Sequence, residues 1–339
     1  PATVMAATTY TGNGSTQSIS NAVNTVSFQP DFVWVKGRNE AFYHRLTSSL
    51  QSPPNYMSSN ATDAEGSVNG TISAITSTGF SVNINGGTGG TNSTGINYVG
   101  WQWNAGGTTV TNGVGTISSQ VRANTTAGFS IVVYTGNGTN GATVGHGLGA
   151  KPSLIIEKGR STAYNWSVQG CGVLWTPATS NLFLNATNAL NASGAVAAPT
   201  ISVFTPSVTN YANESGVSNV AYCWAPVAGY SAFGSYTGNN STDGPFIYTG
   251  FRPRWILIKS STVATSWYLL DSSRETYNEE KIFLYPDLAQ ADSPQAYGVD
   301  FLSNGFKIRA PTGYGLNNAS GGYIYAAFAE NPLKYANAR

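Results

Sequence analysis

A Tyr-Thr-Gly-Asn tetrapeptide recurs along this 339-residue chain, at 10–13, 134–137 and 236–239. Each copy is followed by a proline-led apolar run that ends in lysine, at 30–36, 152–158 and 253–259. A spacing of roughly 100 residues is enough for each unit to bury its own core. The sequence therefore predicts three tandem copies of one small β module.

The last strand of each copy has the clearest pattern. Large side chains alternate with mostly small ones, and the large set is Val99, Trp101 and Trp103, then Val220, Tyr222 and Trp224, then Ile324, Ala326 and Phe328. A period of two places the large set on one face, which we expect to be core. Short strands separated by Gly, Asn, Ser and Thr turns are typical of antiparallel sandwiches. The predicted fold is all-β, with three tandem antiparallel β-sandwich modules of jelly-roll or lectin-like type, of about 100 residues each.

The repeat also predicts the domain boundaries. The expected segments are an N-terminal arm at 1–8, module 1 at 9–107, a linker at 108–127, module 2 at 128–229, module 3 at 230–333 and a C-terminal tail at 334–339. The Gly/Thr/Asn-rich linker is expected either to pair as an extra strand or to stay flexible. The connection at 227–231 is short, so we expect modules 2 and 3 to dock rigidly and module 1 to move more freely.

Composition narrows the class of function. Charged residues make up 9% of the chain, against about 25% in ordinary soluble domains. The net charge is +1 and no basic cluster is present, so neither nucleic acid nor an anionic membrane is an expected partner. No apolar run reaches the length of a membrane-spanning helix. The start at Pro1, without a signal-peptide pattern, predicts synthesis in the cytoplasm and removal of an initiator methionine.

The nucleophilic and metal-binding side chains are sparse. His44 and His146 are the only histidines and Cys171 and Cys223 the only cysteines. The histidines are interpreted as lying at unmatched positions of two repeats, with His146 in a structural loop. Cys223 aligns with a small packing position. No zinc-ligand spacing can be drawn from these residues, and neither a metal nor a cofactor is expected.

Two groups of carboxylates are candidates for acid–base chemistry. They are Asp63 with Glu65, and Glu275 with Glu279 and Glu280. Neither group recurs in the other repeats, and both lie in segments that read as exposed loops. The prediction is therefore that the protein is not an enzyme. The alternatives are a carbohydrate-active enzyme such as a depolymerase, with acids contributed by distant strands, and a glycan-binding adhesin.

Aromatic side chains near loops and strand ends are the candidates for glycan binding. They are Tyr43, Tyr164, Trp166 and Tyr268. A ring with a polar tip can stack on a sugar and donate a hydrogen bond. The competing interpretation is that these are ordinary half-buried strand residues.

Basic residues recur at the end of the proline-led strand. Lys36, Lys158 and Lys259 occupy one repeat position, and Arg38 and Arg160 occupy another. We expect them to satisfy carbonyl groups at the strand end or to contact a neighbouring module or an attachment partner, in preference to binding a ligand.

The repeated residues resemble a known family. The Tyr-Thr-Gly-Asn-Gly turn, the sequence His146-Gly147-Leu148-Gly149, the proline-led strand ending in lysine and the closing segment 327–332 are similar to tandem modules in virion proteins of tailed bacteriophages. The likeness extends from about Thr9 to Pro332.

The resemblance implies a non-enzymatic structural protein on the virion surface, made in the host cytoplasm. It implies a capsid decoration, a head or tail appendage, or part of a fibre, attached to other virion proteins. Host-surface polysaccharide is a further expected partner, whereas nucleic acid and membrane insertion are not. The oligomeric state is left open, and the two termini, which lie outside the repeats, are the expected attachment points.

Overall fold

The computed structural model describes residues 4–21, 26–67, 71–83, 90–172, 182–190, 196–207, 212–311, 313 and 315–330. All 26 regular elements within these ranges are β-strands. The pairs between neighbouring named strands are antiparallel. The all-β prediction is therefore confirmed. No helix in the described part of the chain is long and apolar enough to cross a membrane.

The first repeat forms a four-stranded sheet of order β1-β9-β3-β4, a three-stranded sheet of order β2-β8-β7 and the pair β5-β6. Its strands are β1 (Met5–Thr11), β2 (Gln17–Ser20), β3 (Phe32–Gly37), β4 (Arg45–Ser48), β5 (Asn55–Tyr56), β6 (Gly66–Ser67), β7 (Ile72–Thr76), β8 (Gly79–Val82) and β9 (Asn97–Trp103).

The middle of the chain forms a seven-stranded sheet of order β10-β11-β12-β18-β14-β15-β16, with the pair β13-β17. Its strands are β10 (Val110–Asn112), β11 (Ser119–Asn124), β12 (Phe129–Thr135), β13 (Val144–Gly145), β14 (Leu154–Gly159), β15 (Ser167–Gly170), β16 (Leu182–Phe183), β17 (Val203–Phe204) and β18 (Ser218–Trp224).

The third repeat forms two four-stranded sheets, of order β19-β26-β21-β22 and β20-β25-β24-β23. Its strands are β19 (Ser231–Thr237), β20 (Phe246–Tyr248), β21 (Pro253–Ser260), β22 (Tyr268–Asp271), β23 (Glu280–Phe283), β24 (Ser293–Leu302), β25 (Gly305–Ile308) and β26 (Gly322–Ala329).

In each repeat the last strand lies between the first strand and the proline-led strand. Trp103 thus pairs with Met5 on one side and Phe32 on the other. The proline-led strands β3 and β14 are buried at every residue, so both of their faces are covered. Proline at the start of such a strand removes no ladder hydrogen bond, because its missing N–H lies at the strand end.

The two faces of the last strands contribute to different cores. The predicted large set, from Val99 to Phe328, belongs to a single cluster that joins all three repeats. Trp103 contacts Trp224 of the second repeat and Phe328 of the third, with ring centroids 6.2 Å and 5.7 Å apart. The opposite face, with residues such as Tyr98, Cys223 and Ala327, packs inside each separate repeat. The burial of the large set is confirmed, and the core that it fills is the one between repeats.

Two expectations need correction, and one of the two alternatives for the linker is confirmed. Met5 to Thr8, assigned to an N-terminal arm, form the first half of β1 and pair with β9. The linker at 108–127 contains β10 and β11, which extend the sheet of the second repeat, as the alternative of pairing as an extra strand predicted. The first repeat is not a separately mobile unit, because its core residues belong to the shared cluster and Asp31 forms a salt bridge of 2.6 Å with Arg122. The predicted tail at 334–339 lies outside the described residues.

Candidate functional site

A ring of equivalent hydrogen bonds joins the three repeats. Trp166 Nε1 donates to the carbonyl oxygen of Ser58 at 2.9 Å, and Trp267 Nε1 donates to that of Phe183 at 2.8 Å. His44 Nε2 lies 3.0 Å from the carbonyl oxygen of Tyr285. The bonds run from the second repeat to the first, from the third to the second and from the first to the third. They close a cycle around the shared core.

The three donors occupy one structural position. Each immediately precedes the strand β4, β15 or β22. The backbone N–H groups of His44, Trp166 and Trp267 donate to side-chain oxygens in their own repeats, at 3.0, 2.8 and 2.9 Å, and the acceptors are Asn60, Asn185 and Asp287. His44 is therefore matched to two tryptophans, which corrects its interpretation as an unmatched residue.

The hydrogen bonds of His44 determine its tautomer. Trp34 Nε1 donates to His44 Nδ1 at 2.8 Å, so the ring proton lies on Nε2 and is donated to Tyr285. Burial is the main cause that lowers the pKa of His44 well below 6.5, and the nearby Lys36 lowers it further. The imidazole is neutral and fully hydrogen-bonded, so it is not available for acid–base chemistry.

The second histidine is also structural. His146 is buried, its Nδ1 accepts from the backbone N–H of Leu148 at 3.2 Å, and burial lowers its pKa. The two cysteines are buried, and burial raises the pKa of Cys171 to about 12. These thiols are protonated at neutral pH and are poor nucleophiles.

The recurrent lysines lie at the ends of the proline-led strands and are fully buried. Lys36, Lys158 and Lys259 each donate to the carbonyl oxygen of the next residue, at 2.7, 2.7 and 2.8 Å. Lys259 also reaches the carbonyl oxygen of Thr187 in the second repeat, at 3.2 Å. Burial lowers their pKa values to about 7, 8 and 8. Their amino groups therefore satisfy strand-end carbonyls.

The recurrent arginines form salt bridges between repeats. Arg160 contacts both carboxylate oxygens of Glu65, at 2.7 and 2.8 Å, while Arg38 Nε lies 2.8 Å from Asp292. Backbone bonds lie beside them, from Glu65 N to Arg160 O at 2.7 Å and from Asp292 N to Arg38 O at 2.6 Å. The seam between the second and third repeats has a backbone bond of 3.0 Å from Leu190 N to Ser261 O.

The Tyr-Thr-Gly-Asn motif ties the first strand to the loop before the last strand. In the second repeat Tyr134 donates its hydroxyl to Ala212 O at 2.8 Å, and Asn213 Oδ1 accepts from Asn137 N at 3.1 Å. A Cβ on Gly136 would lie 2.3 Å from Glu214 O, so no larger residue fits. The first and third copies make the same asparagine and tyrosine bonds. This motif is an architectural clip.

The predicted glycan-binding residues are not brought together. Trp166 is fully buried and Tyr268 is 8% exposed, so both predictions are wrong as surface stacking platforms. Tyr43 is 40% exposed and lies near the Arg45 guanidinium. Tyr164 donates its hydroxyl to Glu214 in its own repeat.

The candidate acids lie in two different repeats. Glu65 is engaged by Arg160, and Glu275 accepts the backbone N–H of Ile282 at 2.9 Å. Glu280 is 1% exposed, and burial raises its pKa to about 8. Glu279 lines a groove on the surface of the third repeat.

That groove is a candidate site on the described surface that sequence reasoning missed. It has a volume of about 700 Å³ and is lined by Thr242, Asp243, Asn278, Glu279, Lys281, Tyr297, Asp300 and Arg309. By contrast, the cavity in the shared core is about 10 Å³, too small for a ligand. Four separate segments build the groove, so no local motif reports it. The described residues include no group of three His, Cys, Asp or Glu side chains able to hold a metal ion.

Comparison with known proteins assigns the chain to a family. The model of the family described as "Domain of unknown function (DUF7483)" matches residues 1–332. This match spans almost the whole chain, and the protein belongs to that family. No curated protein matches it.

Proposed function

We propose that the protein is a non-enzymatic structural component on the surface of a tailed bacteriophage particle, attached through protein–protein contacts. In this proposal each repeat is one antiparallel sandwich module of jelly-roll or lectin-like type, and the three modules act as one rigid body. The resemblance of the repeated motifs to tandem virion modules supplies the class of particle.

The observation that carries the structural role is the use made of the recurrent residues. The matched donors His44, Trp166 and Trp267 connect one repeat to another. The recurrent lysines satisfy strand-end carbonyls. Equivalent positions of the repeats thus carry side chains that hold the fold together. Such an arrangement is suited to a rigid structural protein on a surface.

The composition of the surface supports the same role. Only 9% of residues are charged, and several of these charges are engaged in the seams, as in Arg38–Asp292 and Arg160–Glu65. A surface rich in hydroxyl and amide groups has little long-range field. Attachment is therefore expected to depend on shape and hydrogen bonding more than on charge.

The placement of the carboxyl groups does not favour the depolymerase alternative. A glycosidase needs a proton-donating carboxyl that faces its substrate. Glu280 has the raised pKa of such a group, but its side chain is buried and it does not line the groove. Glu280 pairs with the buried Val299, and residues directly opposite one another project to the same side of a sheet.

Location on the particle tests the proposal. Purified virions of a phage that encodes this chain are labelled with an antibody against it and imaged by electron microscopy. We expect label at one class of site on the particle surface and copurification with capsid or tail subunits. Protein found only in the particle-free fraction would refute the virion role. Release of reducing ends from host polysaccharide by the purified chain would instead support the enzyme.

A further inference from the structure

The exposed aromatic residues are concentrated on one repeat. Of the five exposed aromatic side chains in the described chain, Phe246, Tyr248, Tyr277 and Tyr297 belong to the third repeat, whereas Tyr43 belongs to the first. Phe246 and Tyr248 on β20 and Tyr297 on β24 belong to one sheet, and large apolar side chains exposed together often mark a binding surface. The outer sheet of the third repeat is therefore unlike the corresponding surfaces of the other two.

Strand register places the rings and the groove on the same face. Phe246 pairs with Lys307, and Lys307 pairs with Asp300 on the next strand. Residues directly opposite one another project to the same side of a sheet. Phe246 is thus two strands from Asp300, about 10 Å at the usual strand spacing. Asp300 lines the groove together with Tyr297.

The groove presents hydrogen-bond donors and acceptors in adjacent pairs. Arg309 Nε lies 2.6 Å from Asp300, and Lys281 Nζ lies 3.7 Å from Glu279. Lys307 forms a third pair with Asp243. The three positive and three negative groups balance, so the groove has many polar contacts to offer and no net field that would select a polyanion.

Hydrogen bonds within the repeat position two of the lining residues, Asn278 and Glu279, without a ligand. Asn278 is bonded through both amide atoms to the backbone of Phe301, at 3.0 and 2.8 Å. Glu279 accepts the backbone N–H of Gly298 at 3.3 Å. A preformed site loses less side-chain entropy on binding than a mobile one.

The geometry points to this groove as a binding site for an uncharged saccharide chain. Sugar hydroxyls both donate and accept hydrogen bonds, which matches the paired Asp300–Arg309 and Glu279–Lys281 groups. The apolar face of a sugar ring packs on an aromatic side chain, a role assigned to Tyr297 inside the groove and Phe246 beside it. Its size of about 700 Å³ falls in the usual range for small-ligand sites.

The proposed saccharide site adds a ligand to the proposed surface role. Each of the two proposals can be refuted without the other. A chain that sits on the particle and binds no saccharide would refute only the site. A chain that binds saccharide but is absent from particles would refute only the location.

The test uses the full chain and immobilised hexasaccharides of β-glucan, α-mannan, galactan and chitin, with an alginate hexamer as the anionic comparison. We expect retention on at least one neutral probe and none on alginate at 0.15 M salt. Tyr297→Ala and Arg309→Gln are each expected to weaken that binding at least tenfold, because each removes a groove contact. Tyr43→Ala is the matched control, since it removes an exposed tyrosine of similar exposure outside the groove.

Each variant is checked for an unchanged unfolding midpoint, so that lost binding reports the groove and not the fold. Absence of binding to every neutral probe would overturn the inference. So would binding of alginate alone, or binding that both groove variants retain.

Discussion

His44 Nε2 lies 3.0 Å from the carbonyl oxygen of Tyr285, 241 residues further along the chain. This contact joins the first repeat to the third, and it closes the cycle that Trp166 and Trp267 continue. The three repeats therefore form one closed unit, and the interaction that closes it uses a histidine where the other two seams use tryptophan.

Replacement of a seam tryptophan is expected to destabilise the whole chain. Trp166→Phe removes the Nε1 donor from the carbonyl oxygen of Ser58, which keeps only the longer bond of 3.2 Å from Ala61 N, and the loss of one such hydrogen bond costs about 0.5–1.5 kcal/mol. Trp224→Phe is the matched control, because Trp224 Nε1 has no hydrogen-bond partner among the described residues. Urea unfolding should show the larger loss of free energy for Trp166→Phe. Equal losses of free energy in the two variants would contradict a stabilising role for the ring of hydrogen bonds between repeats.

The glycine of the recurrent tetrapeptide should not tolerate a side chain. In Gly136→Ala the new Cβ would lie 2.3 Å from Glu214 O. This is a backbone atom, so it can move aside only if the main chain shifts. We expect a loss of unfolding free energy of about 1–3 kcal/mol. At Gly113 a Cβ meets nothing within 4 Å, so Gly113→Ala should change stability by no more than about 0.5 kcal/mol. If the two variants unfold at the same urea concentration, the clip interpretation fails.

The Arg160–Glu65 salt bridge should be coupled energetically across its seam. Both side chains are largely buried, at 18% and 14% exposure, and the contact is bidentate. A double-mutant cycle with Arg160→Met and Glu65→Gln is expected to give a coupling of about 1 kcal/mol. The more exposed pair Arg252–Glu330, within one repeat, should give about 0–0.5 kcal/mol. A coupling at the seam no larger than that of the control pair would contradict this assignment.

The buried Glu157 should make stability depend on pH. It accepts hydrogen bonds from Gln169 and Ser207 at 2.6 and 2.8 Å, yet burial raises its pKa from 4.5 to about 7. Between these values the folded protein holds a proton that the unfolded chain has released. Its contribution to stability is therefore present below about pH 4.5 and is lost as the pH rises to about 7, by an amount on the order of 3 kcal/mol.

Glu157→Gln is expected to remove that part of the pH dependence, because an amide does not titrate. Urea unfolding at pH 5 and pH 7.5 should show a smaller difference in the variant than in the unmodified chain. Glu40→Gln, at an exposed carboxyl, should leave the difference unchanged. A pH dependence that Glu157→Gln does not alter would show that this carboxyl ionises normally in the fold.

The alternating last strands were sufficient to predict a core but not its partners. A period of two separates the face of Trp101 and Trp103 from that of Gly100 and Gln102. It does not say which face meets a second sheet of the same repeat and which meets other repeats. The bulkier face of β9 packs between repeats, in a cluster of buried side chains that all three repeats share.

An alignment of the repeats by residue type does not show that His44 is equivalent to Trp166 and Trp267. Alignment of the strand residues Leu46, Val168 and Leu269 places His44 in the same column as Trp166 and Trp267, and the common property is a ring N–H and not the side-chain class. The same alignment would also have indicated that Trp166 is not a surface residue. The groove on the third repeat had no such signal, because its lining residues come from segments far apart in the sequence.

Calorimetric unfolding of the intact chain tests most directly whether the three repeats are one unit. A shared core and a closed ring of seams predict a single transition, in which the calorimetric and van't Hoff enthalpies agree. Two or three separable transitions, each with the enthalpy of one repeat, would show that the repeats fold and melt independently and would contradict the closed assembly.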